Sequence, residues 1–91
     1  DPYVIKNLGI KDQEKPTLNL IGDSEIDLIQ NTSYVELGAT ATDNIDGDIS
    51  DKIIIIENIN NSVLGTYFVS YSVSDSSGNK KTDTRKVNVI E

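Results

Sequence analysis

The chain has 91 residues with 15 acidic against 8 basic, no histidine, no cysteine and a formal net charge of −7. That length allows one small domain with a thin stability margin, and the charge repels nucleic acid and anionic lipid, leaving cations, neutral glycans and proteins as partners. The lack of cysteine excludes a disulfide framework and a thiolate metal site, and no apolar run approaches the length of a membrane span.

Residues 1–15 hold a short apolar segment, Tyr3-Val4-Ile5, and then turn polar. They are expected to be a linker or the tail of a preceding module, with the domain proper over residues 16–91. The first residue is Asp rather than Met, which fits a fragment of a longer chain. Pro16 pushes Lys15 toward extended geometry and begins a strand at Thr17-Leu18-Asn19-Leu20-Ile21, which Gly22-Asp23 ends. Glu25 to Ile29 alternates again, the profile of an edge strand whose outward carboxylates discourage edge-to-edge pairing. Tyr34 to Leu37 is expected as a short strand and Gly38 as a bend. Ala39-Thr40-Ala41-Thr42 then offers small side chains where two sheets approach closely.

Asp43-Asn44-Ile45-Asp46-Gly47-Asp48 is a loop by composition, followed by Ile49 as a core plug. The run Ile53-Ile54-Ile55-Ile56 is the most β-prone in the chain; its unbroken apolar character predicts burial on both faces, with Asp51, Lys52 and Glu57 as charged flanks against aggregation. After a turn over residues 58–62, Gly65 opens the clearest strand. Tyr67, Val69, Tyr71 and Val73 recur with period two and share one face, while Ser70, Ser72 and Ser74 meet water and Phe68 breaks the pattern on the wet side. Asp75-Ser76-Ser77-Gly78-Asn79 supplies turn chemistry. Lys80 to Ile90 completes the sheet, with Val87 and Val89 inward. About seven short strands separated by turns, with no helical period, predict an all-β antiparallel sandwich.

Three blocks in this order and spacing resemble a known family: Gly38 to Ile49, then Gly65-Thr66-Tyr67 continuing through Asp75, then Ser77-Gly78-Asn79 with Val87-Asn88-Val89. Over about residues 14–90 the chain resembles the bacterial immunoglobulin-like domains of group 3. The resemblance implies an immunoglobulin-like sandwich, present in tandem copies in surface or secreted bacterial proteins, especially Gram-positive ones, as a spacer or adhesion module. Its neighbours would be other modules of the same chain, and the isolated domain would be monomeric.

Gly65, Tyr67 and Val69 have the spacing of a tyrosine corner, so the Tyr67 hydroxyl is expected to bond a backbone group and pin the crossover between sheets, with Tyr71 in the core. Asp43, Asp46 and Asp48, with the Asn44 amide oxygen, offer hard oxygen ligands of the kind Ca²⁺ takes, although the EF-hand spacing is absent. Immunoglobulin topology would bring Asp12, Glu14, Asp43, Asp46, Asp48 and Asp75 to one end. Two readings stay open: a calcium site that stiffens the linker, or a turn in which the aspartates cap backbone amides. Catalysis has little support, since without histidine or cysteine a nucleophile lacks its usual base and no glycine-rich phosphate cradle is present. Besides the spacer role, the chain could bind a host protein or cell-wall glycan directly, with Phe68 as the contact residue, or serve as an accessory domain of an extracellular enzyme.

Overall fold

The computed structural model describes residues 14–91, so most of the expected linker lies outside the described residues. It contains the strands β1 (Thr17–Leu20), β2 (Glu25–Ile29), β3 (Ala39–Asp43), β4 (Gly47–Asp48), β5 (Ile54–Asn58), β6 (Gly65–Ser74) and β7 (Lys80–Ile90), with one 3-10 turn at Ser50–Lys52. They form two layers: a three-stranded sheet in the order β1-β3-β4 and a four-stranded sheet in the order β2-β7-β6-β5. All neighbours run antiparallel except β2, which lies parallel to β7. The chain crosses between layers directly after β1, at Gly22, where φ is +83°. A side chain here would be strained, and its Cβ would come within 2.5 Å of the Leu37 Cδ1.

The long β6–β7 ladder is the spine, pairing Gly65 with Val89 through to Ser74 with Lys80. Period two along it sends Val69, Tyr71, Val73, Val87 and Val89 inward, and the first four meet Leu18, Ala41 and Ile49 in one core cluster. β4 is only two residues long, so among the described residues most of one edge of β3 lacks a strand partner. Ser50 substitutes for it: the Ala41 N–H donates to Ser50 Oγ at 2.9 Å, and the Ser50 hydroxyl donates back to the Ala41 carbonyl at 3.3 Å.

Two expectations are corrected. The isoleucine run is not buried on both faces: Ile54 and Ile56 are 61% and 60% exposed. Among the described residues β5 is an edge strand with no layer above its outward face, and β propensity reports fit to a pleated surface rather than burial. Residues 34–37 form no strand. Their alternation is real, with Tyr34 and Glu36 half-buried and Val35 exposed, but the inward positions serve side-chain hydrogen bonds instead of a ladder.

Candidate functional site

At one end of the sandwich the β3–β4 loop meets the β6–β7 turn. Asp43, at the buried end of β3, accepts hydrogen bonds on Oδ2 from the N–H groups of Ile45 and Asp46, both at 3.0 Å. Asp46 reaches across and accepts from the Ser76 N–H at 2.7 Å and the Ser76 hydroxyl at 2.8 Å. Asp75, also buried, accepts from the N–H groups of Ser77 and Asn79, each at 2.9 Å, and from the Asn79 side-chain amide at 3.0 Å. The topology therefore brings Asp43, Asp46 and Asp75 to one end, with Asp46 as the bridge.

Asp48 turns elsewhere and accepts from the Ser50 N–H at 3.0 Å. That backbone hydrogen bond holds its carboxyl below the usual carboxylate range. Asn44 and Glu14 are exposed, and Asp12 lies outside the described residues. Among the described residues no group of three or more acidic side chains is arranged to hold a metal ion. Asp43 Oδ1 is buried without a hydrogen-bond partner among the described residues. The hydrogen bonds are those of the amide-capping reading.

The expected corner forms, but within one layer: Val63 lies between β5 and β6, both strands of the four-stranded sheet, so the Tyr67 hydroxyl pins no crossover between sheets. Val69 and Tyr71 are buried. Tyr67 is half-buried and donates its hydroxyl to the Val63 carbonyl at 2.8 Å, closing a corner four residues upstream. Phe68 is 51% exposed on the outward face of β6.

The polar centre of the molecule is one the sequence reading missed. Arg85, on β7, is completely buried. Its Nε donates to the Tyr71 hydroxyl at 2.9 Å, one terminal nitrogen to the Asp23 carbonyl at 2.6 Å, and the other to the carbonyls of Ile21 and Gly38 at 2.8 and 3.1 Å. Glu36 Oε2 stands 3.7 Å from the guanidinium and accepts from the Tyr71 hydroxyl and the Gly38 N–H, each at 2.7 Å, while Oε1 accepts from Tyr34 at 2.7 Å. Burial pushes the Glu36 carboxyl up, but the hydrogen bonds from Tyr71, Tyr34 and Gly38 together with the charge of Arg85 outweigh it and leave it lowered. Burial and the Glu36 carboxylate push both tyrosine hydroxyls up, so they remain protonated donors. The signal was available: Arg85 stands two residues before Val87, hence on the core face, and a buried guanidinium needs a carboxylate and carbonyls around it.

Two layers, a parallel pairing of β2 with the last strand and a corner tyrosine define an immunoglobulin-like sandwich. The chain belongs to the family described as bacterial surface protein, Ig-like domain, whose model matches residues 18–89. A pesticidal crystal protein, Cry22Aa, from Bacillus thuringiensis is 41% identical over 59 residues, which is 64% of this chain but 8% of that protein. The lipoprotein BT2262 from Bacteroides thetaiotaomicron superposes with a TM-score of 0.70 at 32% identity, covering 81% of this chain and 37% of that one. A structure of CBM51-2 in complex with GlcNAc and INT domains from Clostridium perfringens ZmpB matches with a TM-score of 0.63 at 30% identity, over 85% of this chain and 17% of that one. The chain thus spans a minor part of each relative's length.

Proposed function

We propose that this domain is a noncatalytic spacer that carries load between neighbouring modules of a bacterial surface or secreted protein. One observation carries the reading: β2 lies parallel to β7 in the register Glu25 with Lys86 through Ile29 with Ile90. In that arrangement a pull on the start of β2 and on the end of β7 acts along both strands in opposite directions. All the ladder hydrogen bonds are then loaded together in shear, whereas an antiparallel hairpin pulled at its open end breaks them one at a time. The Lys86 N–H to Ser24 carbonyl bond at 2.8 Å and the Gln30 N–H to Ile90 carbonyl bond at 2.7 Å extend the pairing beyond both ends of β2.

Single-molecule pulling tests this with one fold and two directions. Handles at Asp23 and Glu91 load β2 and β7 in shear; handles at Lys52 and Ser74 unzip β5 from β6. The shear direction is expected to require the clearly higher unfolding force, and equal forces would remove the load-bearing role. A second reading, an accessory domain within an extracellular enzyme or glycan-binding protein, draws support from the likeness to a chain that holds a GlcNAc-bound CBM51 domain, and differs from the first only in what the domain is joined to.

A further inference from the structure

The sequence holds a single Asp-Gly pair, Asp46-Gly47, where the β3–β4 loop enters β4. The turn requires the glycine, since φ at Gly47 is +76° and any side chain there is strained. That requirement brings a chemical liability. With no Cβ on Gly47, nothing of its own shields its backbone nitrogen from the carboxyl carbon of Asp46, and beyond its chain neighbours no heavy atom lies within 4 Å of the place a Cβ would take. The fold nevertheless occupies both reactants. Both Asp46 oxygens accept from Ser76, Oδ2 from the N–H at 2.7 Å and Oδ1 from the hydroxyl at 2.8 Å. Gly47 pairs with Asp43 in the β3–β4 ladder, and the Asp46 N–H donates to Asp43 Oδ2 at 3.0 Å.

We propose that Asp46-Gly47 is a site of spontaneous isoaspartate formation that the closed loops protect, so that the modification occurs only when the β3–β4 loop and the β6–β7 turn part. The step is an internal acyl transfer. The Gly47 nitrogen attacks the Asp46 Cγ, a C–N bond forms, and one carboxyl oxygen leaves as water with the amide proton and a proton from solvent. Water then opens the five-membered imide at its main-chain carbonyl and returns what was lost. The main chain now runs through Cγ, with mass and net charge unchanged and no reactant besides water.

Ring closure requires the Asp46 carboxylate to leave Ser76, and those two hydrogen bonds are the ones that join the loops. The rate in the folded domain is therefore the rate of the free chain multiplied by the fraction of time the loops stand apart. The opening then becomes permanent. In the product an extra methylene lies in the main chain and the remaining carboxylate sits directly on Cα, too short to span to Ser76. Isoaspartate at residue 46 thus turns a reversible separation of the two loops into a lasting one.

The test is prolonged incubation of the whole 91-residue chain at neutral pH and physiological temperature, folded and in urea. Isoaspartate is read by enzymatic methyl labelling and located by peptide fragmentation. In urea the label should appear first at residue 46, and in the folded chain it should form about tenfold more slowly or less, because both carboxylate hydrogen bonds must open. Ser76→Ala, at an exposed position that keeps the backbone N–H, should speed the folded reaction several-fold and leave the rate in urea unchanged. Asp46→Glu, which would need a six-membered ring, should abolish the label at 46. The purified modified chain should show altered amide shifts at residues 43–48 and 75–79. Equal rates in the folded chain and in urea, a folded rate untouched by Ser76→Ala, a label centred on another residue, or an unaltered loop spectrum after modification would each overturn the proposal. None of these readouts depends on pulling force, so this site and the load-bearing role stand or fall separately.

Discussion

Arg85 is a permanent cation with no exposure to water, and its position explains why the sequence between β1 and β3 looks as it does. Three backbone carbonyls, of Ile21, Asp23 and Gly38, turn toward it, and Glu36 supplies the countercharge. Breaking such a buried set by removing one partner is costly because the remaining charge stays desolvated. The pH dependence follows in sign. Glu36 has a folded-state pKa below its unfolded value, so its contribution is complete above about pH 4.3, the ordinary value for Glu, and is lost as pH falls through the lower folded value. Glu36→Gln should cost about 2–3 kcal/mol at neutral pH, measured by urea unfolding, and the gap to the unaltered protein should be constant from pH 6 to 8 and close in strong acid. A gap that stayed constant down to pH 2 would contradict the arrangement.

At the level of elements, the strands that read most clearly are those where one face enters the core. In β6 the alternation of Val69, Tyr71 and Val73 with serine reproduces the burial pattern residue by residue, and in β7 Val87 and Val89 do the same. Where local pattern and environment separate, the sequence misleads. Ile53 to Ile56 is strand in backbone, yet its place at the sheet edge exposes it, and edge or centre is decided by which strands arrive beside it. Tyr34 to Leu37 alternates without pairing. The Tyr67 corner is an element-level feature with an element-level test: Tyr67→Phe removes one hydroxyl-to-carbonyl bond near the surface and should lower stability by about 1 kcal/mol in thermal or urea unfolding, with the strand pairing intact by amide spectra. A loss of several kcal/mol would mean the hydroxyl holds more than the corner.

Across the whole molecule, the acidic end couples two loops through the hydrogen bonds of its carboxylates. The oxygens of Asp46 and Asp75 and one oxygen of Asp43 already accept hydrogen bonds from loop N–H groups, the Ser76 hydroxyl and the Asn79 amide. Titration with Ca²⁺ to several millimolar should therefore leave the melting temperature and the amide shifts of residues 43–48 and 75 unchanged, and a saturable shift of either would restore the calcium reading. Convergence of these two loops followed from the sandwich topology, while the identity of their partners did not. The sequence alone determined the strands with a buried face, the turns between them and the family, because period-two hydropathy and turn chemistry are local properties of the chain. Only the tertiary structure decided that β2 runs parallel to β7, that Arg85 and Glu36 meet at the centre, and that β5 is the last strand of its sheet among the described residues. Each of these depends on which distant segments become neighbours, and long-range adjacency leaves no mark in the pattern of any single segment.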